Sequence, residues 1–176
     1  MKKIVTLHEH FATAKVPHAF GGALALAWCT KRARGTIDID VNVFVSVDRL
    51  GVVLAAMPDG VTITNVNRAD LERDGQTRLW WEKTPVDVFM NTTEFHEQAA
   101  TRLRIHEVAG ARVPFLGCTD LAVFQVFSDR TRDWADLEEM VAAGSLDSER
   151  VLGVLALYLG LDDLRVAKLL ALVSQP

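Results

Sequence analysis

Between Arg34 and Phe44 apolar and polar residues alternate: Ile37, Ile39, Val41 and Val43 against Thr36, Asp38, Asp40 and Asn42. Successive side chains of a strand point to opposite faces, so the pattern predicts a strand over 34–44. The four apolar residues would line a core, with Asp38 and Asp40 side by side on the other face. Upstream, Lys2 to about Ala14 reads as a helix stopped before Pro17. "HAFGG" then reads as a short strand or turn running through Gly21-Gly22 into a helix from Ala23 to Cys29. Downstream come a helix near 47–56, ended by Pro58-Asp59-Gly60, and a strand at "VTITNV". "TRLWWEKTPVDVFM" alternates with period two on either side of a turn at Glu82 to Thr84, which predicts a hairpin. A helix near 93–102 and an extended piece at 111–115 follow.

From Thr119 the period changes to 3.6. "TDLAVFQVFSD", "RDWADLEEMVAAG", "DSERVLGVLALYLG" and "LDDLRVAKLLALV" read as four helices with hydroxyl or acidic caps, Gly144 stopping the second. The fold class expected is α+β: a mixed sheet with flanking helices over residues 1–116, and a helical C-terminal bundle over 117–176 packed on it.

Composition narrows the picture modestly. Of 176 residues, 49% are hydrophobic and 24% charged, as in a globular protein with a sizeable core. A net charge of −4 gives no general attraction to nucleic acid or anionic membrane, so any nucleic-acid contact would need a local patch such as Thr30 to Arg34. No apolar run is long enough to span a bilayer and no secretory leader is legible, so a cytoplasmic protein is expected. Cys29 and Cys118 stand in no metal-ligand spacing and read as two reduced, buried thiols. The His8-Glu9-His10 triplet lacks the spacing of a zinc site. Of Trp80 and Trp81, alternation puts one in the core.

The two aspartates carry the candidate chemistry. Like charges on neighbouring same-face positions repel, and Mg²⁺ held by carboxylates and substrate phosphates is the natural remedy. Three features strengthen that expectation over an ordinary solvated strand. Gly21-Gly22 leads into a helix, where a phosphate can approach the backbone and meet free N–H groups. Asp87 lies on a strand between Val86 and Val88, where a carboxylate needs a partner. Arg34 and Thr36 offer a cation and a hydroxyl suited to phosphate oxygens.

A Gly-Gly turn, a two-aspartate strand and a third aspartate on a later strand resemble the polymerase-β-like nucleotidyltransferases. "HAFGGALALAW…RARGTIDIDV" and "DLAVFQVFSDRTRDWADLEEM" look most like the AbiE-type (MenT-like) toxin nucleotidyltransferases, over about His18 to Met140. The resemblance implies a Mg²⁺- or Mn²⁺-dependent enzyme moving a nucleoside monophosphate from a triphosphate to a hydroxyl. The acceptor would be a tRNA 3′ end or another hydroxyl, and an antitoxin protein the partner. By the same resemblance Asp38, Asp40 and Asp87 hold the metal and, with Asp133, carry catalysis. Gly21, Gly22, Arg34, Thr36, Gln125 and Arg130 bind the nucleotide. In the helical block Arg130, Asp133 and Asp136 fall on the family's Arg-Asp-Asp positions, whereas Gln125 stands where the family has a lysine expected to hold the triphosphate. Either activity is reduced, or Arg130, Arg34 or Lys31 supplies the charge, or the chain is a non-catalytic nucleotide-binding or interaction module. A small-molecule nucleotidyltransferase, such as one modifying an antibiotic, is a third reading.

Overall fold

The chain runs α1 (Lys2–Thr13), β1 (His18–Phe20), α2 (Gly22–Thr30), β2 (Ile39–Ser46), a 3-10 turn (Val47–Arg49), α3 (Leu50–Ala55) and β3 (Val61–Thr62). It continues with α4 (Asn65–Asp74), β4 (Gln76–Trp81), β5 (Thr84–Asn91), α5 (Glu94–Ala99), β6 (Arg104–Val108) and β7 (Ala111–Phe115). It ends in α6 (Cys118–Ser128), α7 (Thr131–Ala142), α8 (Ser148–Leu159) and α9 (Leu164–Val173). These are the elements of a computed structural model that describes residues 1–174. Residues Met1–Leu24 and Gly35–Leu116 form one unit; Ala25–Arg34 and the chain from Gly117 onward form another.

The first unit holds a mixed sheet, seven-stranded among the described residues, in the order β3-β4-β5-β2-β1-β7-β6. Its middle follows from the sequence pattern. Val41, Val43, Leu79, Val86 and Val88 are wholly buried, so the apolar faces of β2, β4 and β5 all turn inward. β2 pairs parallel with β5 and antiparallel with β1, and β4 closes an antiparallel hairpin onto β5. On α1, Ile4, Leu7 and Phe11 are buried at helical spacing.

Three expectations are corrected here. The strand expected over 34–44 begins only at Ile39, because β5 and β1 supply partners for Ile39 and Val41 onward and nothing pairs the residues before them. Ile37, left outside the sheet, is 76% exposed rather than core. The strand at "VTITNV" is cut to Val61–Thr62, and α4, which no apolar period predicts, takes over. Its start is written in Thr64, whose side chain accepts from Asn67 N–H while Asn67 returns a bond to the Thr64 backbone; Gly75 closes it in the left-handed region. The extended piece at 111–115 forms with the bounds expected, and it has an antiparallel partner, β6, running from Val108 opposite Ala111 to Arg104 opposite Phe115.

The second unit is helical, as the change of period implies. Leu26, Val123, Val126, Leu137, Val151, Leu155 and Leu169 are buried there. Asp147 and Asp163 cap α8 and α9 by accepting from Arg150 and Arg165 N–H. The expectation of two reduced thiols is overturned: Cys29 and Cys118 form a disulfide, with Cα atoms 5.6 Å apart. The end of α2 and the start of α6 meet, a juxtaposition that a sequence separation of 89 hides from the sequence.

Candidate active site

Register places the acids. In the parallel β2–β5 ladder Asp40 lies directly beside Asp87, and in the antiparallel β5–β4 ladder Asp87 lies directly beside Arg78. Asp40, Asp87 and Arg78 thus form one row across three strands on one sheet face, with Asp38 two residues along from Asp40. Two carboxylates side by side in a ladder are unfavourable unless a cation joins them. Arg78 does so. Its Nε and Nη2 each donate to one oxygen of Asp87 at 2.7 Å, a bidentate pair, and Nη2 stands 3.6 Å from Asp38 Oδ2. Hydrogen bonding to Asp87 first, and then the negative charges of Asp87, Asp38 and Asp40, push the guanidinium above its usual range, so it stays protonated. Asp87 itself is buried.

The glycine turn meets the same row. Gly21 N–H donates to the Asp40 backbone oxygen at 2.9 Å. Gly22, at φ 51°, opens α2, and a Cβ there would lie 1.9 Å from Asp40 Oδ2. The Asp40 carboxylate therefore presses on a backbone that only glycine provides. Asn42, next on the same face of β2, packs against Gly21, where a Cβ would be 3.0 Å from its Nδ2. Its Oδ1 accepts from His96 Nε2 at 3.1 Å. Burial pulls His96 down to about 4, so the ring is neutral at ordinary pH and its Nε2 carries the proton the amide oxygen needs.

The remaining candidates are accounted for individually. Thr36 Oγ1 accepts from Asp38 N–H at 3.2 Å, a local turn that fixes the approach to β2. In the second unit Arg34 Nη2 donates to Asp136 Oδ2 at 2.8 Å, and Gln125 Nε2 donates to the same oxygen at 3.1 Å. The cation beside Gln125 is thus Arg34. Gln125 Oε1 and Arg34 Nε are buried there without a hydrogen-bond partner. Burial raises the Asp136 carboxyl above its ordinary range, against the pull of Arg34. Asp133 accepts from both Nε and the backbone N–H of Arg130, at 2.9 and 3.2 Å, and so serves the N-terminus of α7.

Three carboxylates facing one cation are the donor chemistry of a hard divalent ion. As they stand, however, no three His, Cys, Asp or Glu side chains among the described residues are arranged to hold a metal. The charge they need is supplied by Arg78. Sequence reasoning missed Arg78, Asn42 and His96. Arg78 had a signal: counting three residues outward on each strand from Trp81 opposite Thr84 lands on Arg78 opposite Asp87. Asn42 had the strand alternation; His96 had none.

No family model and no curated protein matches the chain. Solved structures do. The antibiotic-resistance factor ANT(2″)-Ia, known in solution, superposes with a TM-score of 0.54 at 14% identity, over 89% of each chain. A crystal structure of an antigenic nucleotidyltransferase-like protein from Paracoccidioides brasiliensis gives 0.48 at 10% identity, over 96% of this chain and 84% of that one. JHP933 from Helicobacter pylori gives 0.40 at 14% identity, over 98% and 86%. At 14% identity the likeness to ANT(2″)-Ia is one of architecture alone: the mixed sheet with its helices is a fold the two chains share.

Proposed function

We propose that the protein is a nucleotidyltransferase that moves a nucleoside monophosphate from a nucleoside triphosphate to a hydroxyl and releases pyrophosphate. The observation that supports this best is the row of Asp40 and Asp87, with Asp38, against the glycine turn that opens α2. In this reading Asp38, Asp40 and Asp87 would hold Mg²⁺ or Mn²⁺, which would supply positive charge to the phosphoryl oxygens as the displacement proceeds. The Gly21-Gly22 backbone gives the triphosphate its close approach. Asn42 and His96 keep that turn in place, and Asp87 serves the attacking hydroxyl.

The acceptor we propose first is an RNA 3′ hydroxyl, a tRNA end in a toxin of the AbiE type with an antitoxin partner, on the strength of the two sequence blocks. A small hydroxylated molecule is the second reading, favoured by the fold shared with an antibiotic-resistance factor.

The test incubates the protein with Mg²⁺ and α-labelled triphosphates, once with total RNA and once with hydroxyl-rich antibiotics as acceptors. Label in RNA supports the first acceptor and label in the drug supports the second. Asp40→Asn is expected to lower either transfer by about a hundred- to a thousandfold, the scale on which one electrostatic contribution at a transition state acts. Nucleotide binding without any transfer would replace the enzyme by a binding module.

A further inference from the structure

We infer that Arg78 is an exchangeable counter-ion of the acidic row, and that its pair with Asp87 and a bound divalent cation exclude each other. The inference rests on the metal role proposed for Asp38, Asp40 and Asp87, and concerns how that site is regulated.

The bidentate contact occupies both oxygens of Asp87 at 2.7 Å, and the same Nη2 leans toward Asp38 at 3.6 Å. A divalent ion needs those same oxygens at closer range than a guanidinium does. Were it to arrive with Arg78 in place, two positive groups would share one carboxylate, and like charges at that separation repel. The guanidinium and the ion therefore compete for the lone pairs that face the site. Arg78 is built to give way. Its side chain is 47% exposed and stands on the outer side of the hairpin strand β4, whereas Leu79 beside it is wholly buried. Rotation about its own side-chain bonds carries the guanidinium to solvent without disturbing the ladder or the core.

Arg78 also offsets the mutual repulsion of the three acids. Three carboxylates on one face repel, and the guanidinium holds them in register. The cost falls on metal affinity. A site that is competent only while Arg78 is swung out binds its ligand more weakly by the fraction of time it is open. If the pair is closed about nine-tenths of the time, removing it tightens binding about tenfold.

Arg78→Gln keeps a polar side chain of similar reach on β4 and removes the charge. Mn²⁺ titration followed by electron paramagnetic resonance, without nucleotide, is expected to give a Kd at least about tenfold lower for this variant than for the unaltered protein. Arg78→Lys, which keeps the charge but not the fork, is expected to fall between them. In the unaltered protein, Mg²⁺ is expected to shift the Arg78 Nε–H resonance and speed its exchange with water, a readout independent of any variant's folding. Equal Kd values, or weaker binding by Arg78→Gln, overturn the inference and leave the metal site standing. Absence of Mn²⁺ binding in both proteins overturns the metal site and the inference with it.

Discussion

At Gly22 the backbone takes a φ of 51°, and the nearest atom to an added Cβ would be Oδ2 of Asp40 at 1.9 Å. Gly22→Ala therefore meets two penalties. A left-handed conformation costs an alanine about 1–2 kcal/mol, and the methyl must also push aside the Asp40 carboxylate. We expect this variant to unfold in urea at a free energy lower by about 2 kcal/mol or more, and to lose transfer activity beyond what the stability loss explains. Gly51, where a Cβ meets nothing within 4 Å, supplies the control: Gly51→Ala is expected to leave activity unchanged. A Gly22→Ala protein with full activity would show that the turn does not set the site. Single residues were legible in the sequence where strand alternation alone decided the matter. Asp40 and Asp87 needed only the period of two to be placed on a polar face, whereas Asp38 stands one residue before β2 begins, outside the ladder. Arg78 needed the hairpin register as well, and Arg34 beside Gln125 needed α6 and α7 to be packed.

Elements were legible where a run of residues carried its own punctuation. The C-terminal helices announce themselves through Asp147, Asp163 and Gly144, and β4–β5 through the turn between two alternating stretches. α4 was not, because its apolar stripe is almost absent: of its ten residues only Leu71 is buried. What starts it is the Thr64–Asn67 capping box, and an asparagine at the third position is a weaker sign than the usual Glu or Gln. The disulfide was illegible for a different reason. Cys29 closes α2 and Cys118 opens α6, and no local pattern reports that the two helix ends meet. Such a bond narrows the unfolded ensemble by closing a long loop, and losing a native one costs about 2–5 kcal/mol. The double substitution Cys29→Ala, Cys118→Ala is expected to lower the unfolding free energy by about 2–5 kcal/mol, and the urea midpoint with it, read by tryptophan fluorescence. Dithiothreitol should move the unaltered protein the same way and leave the double variant where it is. A midpoint indifferent to both would mean that the thiols are reduced in solution, as their spacing had suggested.

Taken over the whole molecule, the response to pH follows from which buried groups the fold keeps neutral. His18 and His96 are both pulled down to about 4, chiefly by burial, from an ordinary value of 6.5. His18 Nδ1 is engaged with the Val16 carbonyl and its Nε2 with His8, while His96 holds Asn42 beside the glycine turn. Above about pH 6.5 both rings are neutral whether the chain is folded or not, and they add no pH dependence. As the pH falls below 6.5 the unfolded chain takes up protons that the native state refuses. Stability then declines until the native rings themselves titrate near 4. For a shift of this size the loss at pH 5 is about 2 kcal/mol per histidine. Asp136 works the other way. Its folded carboxyl is raised by burial, so the native state takes its proton before the unfolded chain does, and stability is gained as the pH falls toward the ordinary carboxylate range. The two effects occupy different windows, histidine loss from about 6.5 downward and Asp136 recovery nearer the carboxylate range, so a net decline between pH 7.5 and 5 is expected. Urea denaturation at pH 7.5, 6 and 5 should show it, and His96→Gln should flatten the decline by about one histidine's share whatever its effect at pH 7.5. The same variant should weaken triphosphate binding at every pH, because a displaced Asn42 frees the turn that the phosphates approach. Stability that is flat from pH 7.5 to 5 in the unaltered protein would mean that these rings are open to water, and the support they give to Asn42 and Gly21 would fall with it.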